Sequence, residues 1–226
     1  IDSAPVALTA GEFTGDGLID LLVASQSDNK LTLLQNLGNG QFAASTTFAL
    51  TAAPTSLTAG KIDTDTDLDL IVTFGDSDSA AVLLNDGTGV FSSAATLTTG
   101  DDPRAAALAD FDRDGDLDLV IADRGADSLM FFANANGTFT PGTTINSGGR
   151  NPQSLAIADF DLDGDADIIV ANNGSSAGSS LALHLNKGDA TFAASVTFAG
   201  GATPVAIQAT DLDSDAIDIA RNGQYP

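Results

Sequence analysis

Hydrophobic positions along this chain recur as short blocks separated by polar turns, with a period of about fifty residues. Each repeat opens at a proline, followed by a small apolar stretch, an aspartate-rich loop and a strongly apolar segment. The prolines follow one another at intervals of 49, 49, 49 and 52 residues: Pro5, Pro54, Pro103, Pro152 and Pro204. Such a constant interval indicates an array of structural repeats.

Each complete repeat predicts four short strands. The second strand is apolar at consecutive positions, as in a strand covered on both sheet faces, and spans 19–25, 68–74, 117–123 and 166–172. A third apolar segment (31–34, 81–84, 129–133, 181–185) leads into Asn/Gly turns and a phenylalanine (Phe42, Phe91, Phe139, Phe192). A Thr/Ser/Ala-rich fourth segment ends the unit. Four strands at this period predict an all-β fold, a β-propeller of four-stranded blades, with the alanine-rich first strand innermost.

The repeats predict one domain over residues 1–226, with about four and a half units: 5–53, 54–102, 103–151, 152–203 and a partial 204–226. The last unit has only two strand equivalents, and four residues precede Pro5. A closed ring needs every blade filled. We therefore expect a ring that is incomplete in this chain and completed by further chain or by a partner.

The aspartate loops of the third and fourth units have the spacing of a calcium site. Carboxylates occupy positions 1, 3, 5, 7 and 9, with glycine at position 6: Asp110, Asp112, Asp114, Asp116 and Asp118, then Asp159, Asp161, Asp163, Asp165 and Asp167. Calcium takes six to eight oxygen ligands, and a loop curling around the ion presents every second side chain and the carbonyl of position 7. The competing interpretation is a solvated Asp/Gly hairpin turn.

The other units match this pattern less well. Unit one offers Glu12, Thr14, Asp16, the carbonyl of Leu18, and Asp20 as ligands. Unit two has Lys61 at position 1, before Asp63, Asp65 and Asp69, with Thr66 replacing the turn glycine. We expect the Lys61 ammonium to pair with these aspartates in place of an ion. Unit five (Asp211, Asp213, Asp215, Asp218) is one residue short and lacks the glycine.

Composition narrows the classes of partner. The formal net charge of -23 comes from 31 acidic and 8 basic residues, and Glu12 is the one glutamate. Nucleic acids and anionic membranes select basic surfaces, so neither is an expected partner. The absence of cysteine excludes disulfides and thiolate metal sites. No apolar run approaches the roughly 20 residues that span a bilayer, and we expect any secretion signal to lie outside this sequence.

These residues resemble the FG-GAP (VCBS-type) repeat, the calcium-binding blade of integrin α-subunit heads, of a fungal lectin group and of many secreted bacterial proteins. The resemblance rests on the loops 110–118 and 159–167, the Ala-Asp-Phe steps that begin at Ala109 and Ala158, and the turns 136–139 and 188–192. It implies a propeller of usually seven blades, with calcium at the hairpin between the first and second strands. It also implies an extracellular or cell-surface role in adhesion or carbohydrate recognition.

Three functions remain open at this stage. The favoured one is an adhesion or ligand-binding module, with carbohydrate or an extracellular protein as ligand. The alternatives are an architectural spacer in a large surface protein and the scaffold of a polysaccharide lyase or hydrolase. We expect no enzyme, because His184 is the one histidine of the chain and falls on an apolar strand. Packing is the more common role of such an imidazole than catalysis.

Overall fold

The computed structural model describes residues 4–43, 46–174, 179–210 and 218–221. Its regular structure is almost entirely β-strand, because the apolar blocks are short, rich in β-branched residues and bounded by Asn, Asp and Gly turns. The strands are β1 (Pro5–Gly11), β2 (Asp20–Ser25), β3 (Lys30–Leu34), β4 (Thr47–Ala49), β5 (Ser56–Gly60), β6 (Asp69–Phe74), β7 (Ser79–Asn85), β8 (Phe91–Thr98), β9 (Pro103–Ala109), β10 (Asp118–Asp123), β11 (Ser128–Ala135), β12 (Thr138–Asn146), β13 (Pro152–Ala158), β14 (Asp167–Asn173), β15 (Ser179–His184), β16 (Val196–Ala199), β17 (Ile207–Thr210) and β18 (Asp218–Arg221).

These strands form four antiparallel four-stranded sheets in sequence order: blade one (β1–β4), blade two (β5–β8), blade three (β9–β12) and blade four (β13–β16). The first strands of consecutive blades lie next to one another, so they line the propeller axis. β17 and β18 form a separate pair. The predicted all-β propeller is confirmed, and the described strands do not close the ring, as expected from the repeat count.

The hydrophobic core lies between neighbouring blades. The second strands are its centre, and every residue of β6 and of β10 is buried. Phenylalanines fill the gaps between sheets, with Phe13 and Phe111 among the largest fully buried side chains. Complete burial of such a side chain stabilises the fold by about 1.5–3 kcal/mol. The packing of blade on blade therefore holds the array together.

Two glycines allow this close approach of the blades. A Cβ atom at Gly11 would lie 2.5 Å from Leu68 Cδ1 of the next blade, and one at Gly60 would lie 2.6 Å from Leu108 Cδ1. This close contact favours glycine at the end of the first strands of blades one and two, whereas Ala109 and Ala158 occupy that position in blades three and four.

Blade one exposes the sheet face that the following blades bury against their preceding neighbour. Leu8 is 61% exposed, whereas its counterpart Leu57 is 8% exposed. Ile19 and Phe42 are also largely exposed. No described residue packs on this side of blade one, which agrees with an open ring. In the described part of the chain, no helix has the length and hydrophobicity that spanning a bilayer requires.

Candidate metal centres

The loop between β9 and β10 curls around its own carboxylates. Asp110 Oδ2 accepts a hydrogen bond from the Gly115 N–H at 3.1 Å, and Asp112 Oδ1 accepts one from the Asp114 N–H at 3.2 Å. Gly115 takes φ +98°, a conformation that side chains disfavour. In blade four, Asp159 Oδ2 likewise accepts the Gly164 N–H at 2.9 Å. The predicted role of the position 6 glycine therefore matches the backbone.

Among the described residues, three loops each bring three carboxylates together, with one oxygen per residue all within 4.8 Å of one another. The clusters are Asp110, Asp112 and Asp118; Asp159, Asp161 and Asp167; and Asp63, Asp65 and Asp69. In the first cluster, Asp110 Oδ1 is buried and has no hydrogen-bond partner. A buried, unpaired carboxylate oxygen is costly without a cation. The oxygen-only donor set and this unsatisfied atom both fit a hard divalent ion such as calcium.

The position 9 aspartate of each loop has a structural role as well. Asp118 Oδ2 accepts the Phe111 N–H at 3.2 Å, and its Oδ1 accepts the Asn134 N–H at 2.9 Å. The equivalent two bonds occur at Asp20, Asp69 and Asp167. Burial raises the pKa of Asp118, and the nearby carboxylates of Asp112 and Asp114 raise it further. These two hydrogen bonds from backbone N–H groups hold the Asp118 carboxylate in the cluster.

In blades three and four, the side chains at positions 5 and 7 lie outside the three-carboxylate clusters. Asp114 Oδ1 accepts the Asp116 N–H, and Asp163 Oδ1 accepts the Asp165 N–H, both at 2.9 Å. Asp116 Oδ2 accepts the Asn136 N–H at 3.2 Å. Asp165 is buried and pairs with Arg113 of blade three, whose Nε lies 2.5 Å from Asp165 Oδ1. Ligation by the carbonyls of positions 7 stays a prediction.

The loop of blade one is organised differently. Glu12 Oε1 accepts the N–H groups of Thr14, Gly15 and Asp16 at 3.1, 2.5 and 3.2 Å. Thr14 Oγ1 donates to Asp20 Oδ2 at 3.1 Å. Asp16 Oδ1 accepts the N–H of Leu18 at 2.9 Å. Glu12, Asp16 and Asp20 are not among the described three-carboxylate clusters.

Blade two corrects one expectation. Lys61 is exposed and makes no ion pair with Asp63, Asp65 or Asp69. The three aspartates nevertheless converge, using positions 3, 5 and 9 rather than 1, 3 and 9. A long lysine side chain at the loop surface gains more from hydration than from a screened ion pair. Residues 211–217 of unit five lie outside the described residues, and of Asp218 only the strand is described.

Sequence reasoning missed a recurrent asparagine at the end of each third strand. Asn134 Nδ2 donates to the Ile62 carbonyl of the preceding blade at 2.8 Å, and its Oδ1 accepts the Gly137 N–H. Asn85 and Asn186 make the same link to Phe13 and Phe111. In blade one, Asn36 bonds its own Ile19 carbonyl instead. The sequence does contain a signal for this role, because the asparagines recur at the repeat interval: Asn36, Asn85, Asn134 and Asn186.

Comparison with known proteins identifies these repeats. The profile of the FG-GAP-like repeat matches residues 13–72, 61–121, 110–170 and 159–218, and each match runs from one aspartate loop into the next. No curated protein sequence is significantly similar to the chain.

Solved structures share the fold at low identity. A protein of unknown function from Desulfotomaculum acetoxidans is 15% identical, with a TM-score of 0.69 over 97% of this chain and 63% of its own. A protein from Lactobacillus plantarum is 13% identical, with a TM-score of 0.63 over 96% and 64%. An Agrocybe aegerita lectin that recognises non-reducing terminal N-acetylglucosamine is 21% identical, with a TM-score of 0.56 over 83% and 50%. This chain therefore spans about half to two thirds of the length of these structures. The loops, the four blades and the four profile matches together show that the chain belongs to the FG-GAP-like repeat family.

Proposed function

We propose that this protein is an extracellular or cell-surface calcium-binding propeller that acts as an adhesion or ligand-binding module. One observation carries the proposal: the same hairpin gathers three aspartate carboxylates in each of three successive blades. Structural repetition of a converging, oxygen-only donor set is hard to explain by chance turns, since like charges repel one another. The FG-GAP-like profile supports the same interpretation.

Calcium suits these loops better than other common ions. Zinc and copper favour nitrogen and sulfur donors, whereas magnesium keeps its water shell and resists an all-protein cage. Extracellular calcium modules have dissociation constants of about 0.1–1 mM. Millimolar calcium would then stabilise each site by roughly 0–2 kcal/mol through mass action. Sites of that affinity would be filled by the calcium concentrations found outside cells, as the proposed location requires.

Calcium titration with paired variants tests the metal sites. Thermal melting and calorimetry with calcium, with magnesium and with EDTA would be compared for the natural protein, Asp112→Asn and Asp161→Asn. Each variant removes one charge from one cluster, so we expect about one fewer site and a smaller rise of Tm with calcium. Asp76→Asn, at an exposed turn outside the loops, is the matched control. Equal calcium responses in all four proteins would refute the proposal.

We propose binding rather than catalysis as the activity. His184 is 2% exposed, and its Nε2 lies 3.3 Å from the Ser147 carbonyl oxygen. Burial lowers the pKa of this imidazole. A packed, neutral histidine supports the interpretation that this residue is part of the core. Turnover of polysaccharides by the purified protein would contradict a purely binding role.

Carbohydrate is the first ligand class to test. The Agrocybe aegerita lectin shares the fold, although 21% identity carries no residue-level inference. A glycan array probed in calcium would look for selective binding. Selective binding to an extracellular protein but not to glycans would retain the adhesion role and reject the lectin role. Normal calcium binding with no ligand of either class would instead favour an architectural spacer.

A further inference from the structure

A polar cavity of about 410 Å³ opens where blades three and four meet. Its walls come from the turn before β9, the turn after β10, the start of β13 and the end of β14. The aspartate loops connect the other ends of these strands, so the cavity lies on the opposite face of the propeller from the metal clusters. Six side chains define it: Asp101, Asp102, Arg124, Asn151, Gln153 and Asn173.

One wall of the cavity is fixed by an ion-pair network. Asp102 lies between two guanidinium groups: Arg104 Nε is 2.8 Å from its Oδ1, and Arg124 pairs with its Oδ2. The Arg124 N–H also donates to the Asp102 carbonyl at 2.9 Å. The guanidinium of Arg124 is thus held at the cavity wall, where it shares the Asp102 carboxylate with Arg104.

Three other lining groups keep their hydrogen-bonding capacity for a ligand. The side chains of Gln153, Asn173 and Asp101 make no hydrogen bond to any residue that the structure describes. Asn151 uses its N–H on Asp127 Oδ1 at 2.7 Å and its amide on the Asn173 carbonyl at 3.4 Å, which holds the lip of the cavity. The cavity therefore offers both donors and acceptors on a fixed frame.

Blade packing alone does not create this cavity. At the corresponding corner between blades two and three, Gly75 occupies the position of Arg124 and lies against Asp102; a Cβ atom there would be 2.6 Å from Asp102 Oδ1. Thr55 Oγ1 also donates across that corner to the Pro103 carbonyl at 2.7 Å. The side chains between blades three and four, rather than the repeat itself, give the cavity its polar walls.

The chemistry of the walls selects one ligand class. Anions are disfavoured by the Asp101 carboxylate and by the net charge of -23, whereas the Asp102 carboxylate is already paired with two arginines. A cation would be repelled by Arg124. No apolar side chain lines the cavity, so an apolar ligand is also disfavoured. Amides and a carboxylate beside a guanidinium suit the alternating donors and acceptors of vicinal hydroxyl groups.

We propose that this cavity binds a neutral, hydroxyl-rich ligand, namely a mono- or disaccharide. The proposal gives a site and a ligand class to the binding role proposed above and rests on it. The volume falls within the roughly 300–1,000 Å³ of small-molecule sites. Without an aromatic platform, a single hexose is held by hydrogen bonds alone, and a dissociation constant on the order of millimolar is expected.

The test uses the whole protein and defined sugars. Methyl glycosides of glucose, galactose, mannose and N-acetylglucosamine would be titrated to 50 mM and followed by amide chemical shifts in two-dimensional NMR. We expect one or more sugars to shift residues at the cavity, and Gln153→Ala and Asn173→Ala each to weaken that binding about fivefold. Gln41→Ala, in an exposed turn of blade one, should leave the affinity unchanged.

Two results would overturn the proposal: no cavity shifts with any of the four sugars, or shifts that survive both variants unchanged. Calcium titration of the same samples separates this failure from that of the proposed metal sites. Intact calcium binding without saccharide binding rejects the cavity alone, whereas saccharide binding without calcium binding rejects the metal sites alone. Because Gln153 and Asn173 make no side-chain bond to a described residue, their loss should leave folding intact, and thermal melting would check this.

Discussion

Replacing Asp123 by asparagine should stabilise the protein, and only above mildly acidic pH. The Asp123 side chain is completely buried at the end of β10. Neither of its oxygens accepts a well-formed hydrogen bond from a described residue. The pKa of Asp123 is raised to about 7, chiefly by burial; the nearby carboxylates of Asp78 and Asp101 contribute to the rise, and the Gly100 N–H partly offsets it. The ionised form is thus the one that the fold disfavours.

The magnitude follows from proton linkage. The ordinary pKa of aspartate is 3.8, so the folded state holds this proton over about three more pH units than the unfolded state does. A gap of that size corresponds to about 4 kcal/mol, an upper limit because solvent screens part of the charge. With a raised folded-state pKa, the stabilising contribution is complete below pH 3.8 and is lost as pH rises through about 7.

Blade four has an asparagine at the position equivalent to Asp123. Asn172 occupies the position of Asp123, is fully buried, and donates from Nδ2 to the Ser147 carbonyl at 3.1 Å. Asp123→Asn should therefore be close to neutral at pH 4 and raise the free energy of unfolding by about 2–4 kcal/mol at pH 8.5. For a chain of this length each kcal/mol shifts Tm by about 2–4 °C.

Urea denaturation followed by circular dichroism at pH 4, 6, 7 and 8.5 measures this gain, both in calcium and in EDTA. Asp76→Asn removes an exposed charge from the same region and serves as the control. A stabilisation that is the same at every pH would show that Asp123 is not protonated in the folded protein. Destabilisation at pH 8.5 would show that the carboxylate has a partner that the structure lacks.

Three further predictions concern the blade junctions and the loops. Asn134→Ala should lower the free energy of unfolding by about 2–4 kcal/mol, because it leaves the Ile62 and Leu117 carbonyls unpaired; Asn36→Ala, which breaks no bond between blades, should cost less in the same urea titration. Arg113→Ala should lower the free energy of unfolding by about 1–3 kcal/mol, because it leaves the buried Asp165 carboxylate without its partner. Exposed Arg150→Ala should change Tm little, and equal effects of the two substitutions would contradict this ion pair. In EDTA, acidification from pH 7 to 4.5 should raise Tm, because burial raises the pKa values of Asp69, Asp118 and Asp167 and protonation removes their repulsion. With calcium bound the trend should reverse, since the ion holds the carboxylates ionised; a common trend in both buffers would refute metal binding there.

The sequence predicted the blades because two local signals coincide in every repeat. A short apolar run such as that of β10 does not by itself distinguish a strand from a buried helix, but its length and the Asp/Gly turns that bound it at a fixed interval favour a strand. The loops of blades three and four could be predicted for the same reason, since their spacing and glycine determine the curl.

What the sequence could not predict depends on contacts between blades. Lys61 looked like a replacement for the ion, but position alone does not say whether a long side chain turns inward or into water. The role of Asn134 was invisible because its partner, Ile62, lies 72 residues earlier. The cavity beside Arg124 was equally hidden, since it exists only where two different repeats meet.

The metal clusters and the blade junctions are parts of one structure. In blade three, the Asp118 carboxylate belongs to the cluster and also accepts the N–H of Asn134. The Asn134 amide in turn holds the Ile62 carbonyl of blade two, next to the Asp63 and Asp65 loop. A cation bound by Asp118 would therefore fix the strand end from which Asn134 reaches the preceding blade. In an array whose units contact only their neighbours, a ligand that strengthens each junction between units makes the unfolding of the array more cooperative. Calcium at these loops would thus stabilise the junction between blades as well as the hairpin that binds it.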